Sequence, residues 1–337
     1  MNDKILLGHG SGGKMTGKLI KDCFIKHFGN PVLNVQSDSA ILDIKGNLLS
    51  YTTDSYVIDP VFFPGGNIGK LAACGTLNDL AVSGAKPLYL SAAFIIEEGF
   101  SLADLDKIAA SMAEEVDKNN VKIVTGDTKV VGRGQCDKIF INTSGIGLLN
   151  STYRSISTGE DIQTGDAILV NGDIGDHGIA ILGARENIRF EHEILSDCSS
   201  LSNLIQDILS NNVKVKFMRD LTRGGLASVL CEISEHKLFG IQINESEIPV
   251  KEAVKGTCEI FGFDPLYLAN EGKIVMIVDR NDANKALNLM KKHTEGSAAS
   301  IIGEIIPDHQ GKTIINSVTG GKRLIDKLAG EQLPRIC

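Results

Sequence analysis

"QSDSAILDIKGNLLSYTTDS", residues 36 to 55, is the stretch on which the reading of the fold turns. Two runs of strand character flank "KGN", and a glycine at the centre supplies the positive φ of a tight hairpin. A turn centred on Gly46 predicts that Asp38 stands opposite Asp54. Like charges across a hairpin are unfavourable, so this pairing makes sense where a cation sits between them or where both face water.

Outward from the hairpin, strand and helix patterns alternate. "PLYLSAAFII" (87–96) reads as a strand. "SLADLDKIAASMAEEVDKNN" (101–120) reads as a helix capped by Ser101, with Leu102, Leu105, Ile108, Met112 and Val116 on one apolar stripe. After the polar, glycine-containing "STGEDIQTGD" (157–166), "AILVNG" (167–172) opens a second strand and helix series. The pattern predicts a domain over 1–150, a second α/β domain over 151–329 and a tail over 330–337. Pro334 stops a helix there, so the tail reads as extended or mobile.

The chain has 337 residues, 42% of them hydrophobic, enough to bury substantial cores. A net charge of −8 with no basic run argues against nucleic acid as a partner. The apolar runs, such as "KIVMIVD" (273–279), are strand-sized, and "MNDKILLGHGSGG" lacks the apolar stretch of a secretory signal. Both predict a cytoplasmic protein with no membrane contact. Seven scattered cysteines without a Cys-x-x-Cys spacing argue against a zinc site or a disulfide framework. Six read as ordinary buried small residues.

Cys337, after "EQLPRI", is the exception. It is not a prenylation box, which places its cysteine four residues from the end. On an extended eight-residue arm the thiol could sweep about 26 Å, at roughly 3.3 Å per residue. Arg335 is suited to steer that arm toward acidic or phosphate groups.

Further acidic residues add to the hairpin pair. Asn78 and Asp79 interrupt the small, apolar helix "GTLNDLAVSGA", and Asp127 follows a strand in "VKIVTGDTK". Oxygen-only donors favour magnesium over zinc, and magnesium keeps substrate phosphates and water in its shell. Solvated turn aspartates are the plain alternative for any one of them. "GHGSGGKM" (8–15) nearly spells a P-loop, but Met15 stands where a metal-binding hydroxyl is required. Gly12 and Gly13 still suit a phosphate lid, with a loose N-terminus as the alternative. Gly172, Gly175 and Gly178 of "NGDIGDHGIAIL" fit an anion nest or a tight strand-to-helix turn. Asp220 and Arg223 of "RDLTRGGLASVL" either face phosphate and metal or cap a helix. His9 and His177 lie in glycine-rich loops, within reach of a phosphate or in structural roles.

Together "GHGSGG", "TTDS", "GTLNDLAVSGA", "TGDTKVV", "NGDIGDHG", "RDLTRGGL", "NEGK" and "PRIC" closely resemble the HypE family of hydrogenase-maturation carbamoyl dehydratases. The resemblance covers essentially the whole chain. The family lies in the superfamily of aminoimidazole ribonucleotide synthetase and selenophosphate synthetase. The glycine and aspartate motifs specify only that ATP-binding superfamily, and the cysteine tail singles out this member. The resemblance implies an α/β (α+β) two-domain aminoimidazole ribonucleotide synthetase-like fold, a homodimer paired through its N-terminal sheets, and ATP between the domains.

The same resemblance implies that the carbamoyltransferase HypF loads a carbamoyl group onto Cys337. ATP then drives its dehydration to a thiocyanate, and the cyano group passes to the iron of a [NiFe]-hydrogenase precursor, with a HypC–HypD iron carrier as a further partner. It makes Asp38, Asp54, Asp79, Asp127 and Asp220 candidates for Mg2+ and ATP, joined at the nucleotide by Gly12, Gly13, Asn78 and Arg223. It assigns proton removal to Glu271 of "NEGK" and stabilisation of charge on oxygen to Lys129 of "GDTK". On the residues alone, those two serve equally well as a surface ion pair. A small-molecule kinase or synthetase of the same superfamily, and a non-catalytic carrier, are the rival functions.

Overall fold

The structure is a computed structural model that describes residues 4–10, 13–188, 190, 193–328, 333, 336 and 337. Its first strands, β1 (Ala40–Ile44) and β2 (Asn47–Tyr56), form the expected antiparallel hairpin. The turn itself is two residues, Lys45 at φ 53° and Gly46 at φ 89°, the doubly left-handed form whose twist suits flanking strands. Ala40 therefore pairs with Tyr51 and Ile44 with Asn47, a register one residue away from that expected. Asp38 precedes β1 and does not oppose Asp54, because a one-residue slip exchanges the two faces of a strand.

The helix that follows, α1 (Ile68–Val82), begins at Asn67, whose side chain accepts from the Gly69 and Lys70 amides at 2.9 and 3.1 Å. It is buried around nearly its whole circumference, the mark of a helix enclosed by other elements. Ile68, Leu71 to Cys74, Leu77 and Leu80 lie in the N-terminal core, whereas Ala81 and Val82 pack in a core of the C-terminal domain. The two domains thus share one helix.

Next come β3 (Ala85–Glu97), α2 (Leu102–Lys118), β4 (Lys122–Val131) and β5 (Ile139–Leu149). The sheet order is β1-β2-β5-β3-β4, antiparallel except for β3 and β4, which α2 joins as a parallel crossover. Ser101 caps α2 as expected, and Ile108, Met112 and Val116 turn inward. Leu102, at the first helical position, is 83% exposed, so the buried stripe starts a turn later. Helix α1 packs on one face of this sheet. The other face leaves Tyr51, Tyr89, Ile95, Ile146 and Leu148 exposed.

The second sheet holds β6 (Ala167–Val170), β7 (Val215–Asp220), β8 (Gly240–Asn244), β9 (Ile274–Val278), β10 (Ser300–Ile306), β11 (Thr313–Asn316) and β12 (Lys322–Ile325), in the order β12-β11-β8-β10-β6-β9-β7. Every residue of β6 and β9 is buried. Alternate residues of both strands point into separate cores, so this sheet is covered on both sides. Helix α3 (Asp176–Glu186) follows β6, α4 (Ser202–Ser210) precedes β7, and α5 (Gly225–Ser234) follows it. The turn into α3 is tight: Gly175, at φ 90°, donates to Asn270 Oδ1 at 2.7 Å, and Gly178 donates to the Ala269 carbonyl at 3.2 Å. These amides are committed to the protein, which decides for a tight turn over an anion nest.

Among the described residues, no helix is long and apolar enough to cross a membrane. Of the six cysteines expected to be buried, Cys74, Cys198 and Cys258 are; Cys23 is exposed, and Cys136 and Cys231 are half-buried.

Candidate active site

The acidic residues gather where the two sheets meet. Asp54 lies near the end of β2, Asp79 near the end of α1, and Asp220 ends β7. Asp38, before β1, pairs with Arg219 of β7 at 3.1 Å. The cation expected between Asp38 and Asp54 is thus, for Asp38, an arginine of the other domain. Thr52 donates to Asp79 Oδ2 at 2.7 Å, and the Ser55 amide donates to Asp54 Oδ1 at 2.7 Å.

The electrostatics show that the carboxylates act on one another. Burial and the charges of Asp220, Asp54 and Asp38 hold the Asp79 carboxyl well above the usual range. Burial, with Asp38 and Asp54, pushes Asp220 up to about 7. Burial also raises Asp38 and Asp54, against the opposing charges of Arg219 and Arg223 respectively. A concentration of acid groups that resist ionisation is suited to an added cation. Among the described residues, no group of three histidine, cysteine or carboxylate side chains stands close enough to hold a metal ion. The oxygen donors are of the type magnesium takes, but no three of them form an all-protein cage, so phosphate and water would have to complete the shell.

Cys337 enters this region. Its main-chain oxygen accepts from the Val57 amide at 3.1 Å, just beyond β2. Ile336 is buried in the N-terminal core, and Leu333 and Cys337 pack against the same core. Burial and the charges of Glu271, Asp54 and Asp220 outweigh Arg223 and push the Cys337 thiol up to about 12. Arg223 donates to the Gly10 carbonyl at 2.9 Å, which draws the glycine-rich N-terminal loop to the same place. The N-terminus of α5 is Gly224, with no side-chain cap, so neither Asp220 nor Arg223 serves as the helix cap.

Glu271 is 3% exposed, and its Oε1 has no hydrogen-bond partner. Burial is the largest cause that holds its carboxyl well above the usual range; Cys198, Asp220, Asp197 and Asp54 add to it. It is therefore not a surface ion pair with Lys129.

Other expected site residues lie elsewhere. Asp127 and Lys129 are both on β4, paired with each other at 2.8 Å and mostly exposed. Asp127 stands level with Ala93, Asn142 and Ser55 across the sheet. That row belongs to the uncovered face, the side opposite α1, because side chains alternate along a strand. Within one chain, then, neither residue joins Asp54 and Asp220. Asn78 spends its amide on main chain: Leu201 donates to its Oδ1 at 2.8 Å, and its Nδ2 donates to the Ser199 carbonyl at 3.1 Å. It orders the domain junction and does not present itself to a nucleotide. Gly13 begins the helical segment Lys14–Leu19, where the Lys14 amide donates to the Leu328 carbonyl at 3.2 Å. Lys14 itself pairs with Asp326 at 2.8 Å, as no P-loop lysine would. Gly12 lies outside the described residues, as do Pro334 and Arg335.

One contributor was not expected at all. Asp197 accepts from the Glu271 and Gly272 amides, both at 3.1 Å, and pairs with Lys273 at 3.2 Å. The segment that carries it has no regular structure, so no periodicity marks it. Acidic Asp197 between Ser196 and Cys198 was its only signal.

Family models for AIR synthase related proteins match both halves of the chain: the N-terminal domain over residues 36–149 and the C-terminal domain over 163–316. The chain belongs to this family of two-domain proteins. "Carbamoyl dehydratase HypE" of Rhodobacter capsulatus is 47% identical, over 100% of this chain and 99% of that protein. A crystal structure of a HypE–HypF complex superposes with a TM-score of 0.86 at 48% identity, over 92% of this chain and 99% of that one. A crystal structure of HypE in complex with ATP gives 0.82 at 43% identity, over 99% and 100%. Within the wider family, the chain belongs to the HypE carbamoyl dehydratases of hydrogenase maturation.

Proposed function

We propose that the chain uses ATP to dehydrate a carbamoyl group carried on Cys337, and that it does so with Cys337 in the seat described above. The observation that carries this reading is the seat itself: the tail is held at Ile336 and Cys337, and the thiol feels the charges of Glu271, Asp54, Asp220 and Arg223. An amide oxygen leaves poorly. Transfer of the γ-phosphoryl group of ATP to that oxygen, with loss of one of the two nitrogen protons, gives an iminophosphate and ADP. Loss of the second nitrogen proton with departure of phosphate then leaves Cys337–S–C≡N and inorganic phosphate.

In this scheme Glu271 takes the proton from nitrogen, and Arg223 offers positive charge to the phosphate. Asp38, Asp54, Asp79 and Asp220 are the candidates to hold magnesium, no three of them together as they stand here, and the ion would align and neutralise the phosphates. The ATP bound by the similar HypE supports nucleotide binding by this chain, and the place between the domains is part of the proposal.

The complex of a similar HypE with HypF supports a HypF-type carbamoyltransferase as the loading partner, and a HypC–HypD carrier is the proposed recipient of the cyano group. A cytoplasmic setting, where thiols stay reduced, suits this chemistry. Mass spectrometry of the carbamoylated chain tests the reading. Cys337 is expected to lose the mass of one water only when magnesium and ATP are present. A carbamoyl group that persists under those conditions would make the protein a carrier.

A homodimer formed through the uncovered face of the N-terminal sheet completes the proposal. That face exposes Tyr51, Tyr89, Ile95, Ile146 and Leu148 together, more contiguous apolar surface than a solvated sheet usually shows. It brings Asp127 and Lys129 into the interface, so a catalytic part for Lys129 lies in the site of the second copy. Ile146→Asp is expected to convert a dimer to a monomer in sedimentation. Thermal stability of the single chain should change by less than about 1 kcal/mol, since the residue is 39% exposed there. A dimer that survives the change places the interface elsewhere.

A further inference from the structure

His177 is buried completely, with Phe63 edge-on to its ring at a centroid distance of 5.6 Å. Its Nε2 lies 2.6 Å from the Ile336 carbonyl oxygen, and its Nδ1 lies 2.8 Å from Ser196 Oγ. A carbonyl oxygen only accepts, so Nε2 must carry a proton. Burial favours the neutral ring, which leaves Nδ1 as an acceptor. Ser196 Oγ accepts from the Cys198 amide at 3.1 Å, and its own hydroxyl proton is free to point at Nδ1. The chain Cys198 N–H to Ser196 to His177 to Ile336 is complete, and every donor faces an acceptor.

We propose that His177 is a positioning residue: as the Nε2–H tautomer set by Ser196, it grips the main chain at Ile336 and holds Cys337 in its seat. The contact reads backbone, so it does not depend on what the thiol carries. The Val57 amide, on the other domain, takes the next main-chain oxygen, that of Cys337. Successive main-chain oxygens of the tail, at Ile336 and Cys337, are thus received by donors from two domains, while the Ile336 side chain enters the N-terminal core. When the tail withdraws, the Nε2 proton loses this partner inside the protein, and an unsatisfied buried donor biases the tail toward its seat.

The same short segment also reaches the reacting end. Residue 196 sets the imidazole, and residue 197 receives the amides of Glu271 and Gly272. The grip on the tail and the placement of Glu271 are therefore fixed relative to each other by adjacent residues. This inference concerns the seat and stands apart from the dehydration reading, because it is tested on the unmodified thiol.

The test is iodoacetamide labelling of the full chain without nucleotide, followed by digestion after glutamate and mass spectrometry. Cys337 is read in peptide 332–337, and buried Cys74 and Cys258 in the same sample report on the integrity of the fold. His177→Ala is expected to raise Cys337 labelling about ten-fold, in proportion to the loss of one hydrogen bond, while Cys74 and Cys258 keep their wild-type rates. His177→Gln, whose side-chain amide supplies an N–H, is expected to restore most of the protection. A wild-type Cys337 rate in His177→Ala overturns the proposal. So does a rise at all three cysteines together, which would make His177 a folding residue.

Discussion

Cys337→Ala is expected to abolish thiocyanate formation, with no product above background in the presence of a carbamoyl donor, the loading enzyme and ATP. The reaction scheme places the substrate on that sulfur, so no other group can substitute for it. The four carboxylates and Arg223 come from elsewhere in the chain, and nucleotide binding by calorimetry is expected to persist. Carbamoyl-dependent ATP turnover that survives the change would identify a small-molecule synthetase in place of a tail-modifying enzyme. The chemical weight of the prediction rests on a short stretch of main chain. Two hydrogen bonds and one buried isoleucine bring the sulfur to the acid groups.

Glu271→Gln is expected to lower the single-turnover dehydration rate by about 10²- to 10⁴-fold, the usual contribution of a positioned base. The change is unusually clean. Burial pushes the Glu271 carboxyl well above the usual carboxylate range, which favours its neutral form, and a neutral amide has nearly the same shape and charge as that form. Its Oε1 has no partner to lose, so thermal stability should move by less than about 1 kcal/mol. A loss of rate without a loss of stability isolates the proton-transfer role. A rate within a factor of about three of wild type would assign that role to another group. In the proposed scheme, positive charge brought into the seat would offset the burial that raises the Glu271 carboxyl and so favour its action as a base.

Strands and helices were legible because their periodicities are local. The hairpin, the strand at 87–96 and the Ser101-capped helix appear where the patterns place them. The register of the hairpin was not legible from its central glycine, because Lys45 also takes a left-handed conformation and shifts every pair by one. The shared apolar character of α1 could be read, but its division between two cores depends on packing from both domains.

The gathering of the candidate site residues was legible in part. Asp38, Asp54, Asp79, Asp220, Arg223, Glu271 and Cys337 come together, although they are spread from residue 38 to 337. Asp127 and Lys129 carry motif residues just as distinctive, yet strand alternation and sheet order put them on the opposite face. That outcome is invisible until the partners of β4 are known. Asp197 and Ser196 act through main-chain amides and a histidine, and their irregular segment offers no pattern to read.

Ile336 gives the tail a timetable. Burying an isoleucine side chain contributes about 1.5–3 kcal/mol, which alone limits the withdrawn population to between roughly 10% and 1%. A loading enzyme that needs the thiol outside meets only this minority, so the rate of loading scales with how often the isoleucine leaves its slot. The seated sulfur, with its pKa near 12, is protonated and a poor nucleophile. In the proposed scheme, acceptance of the carbamoyl group and its dehydration would therefore be separated in time: the first would belong to the rare excursion, the second to the resting position.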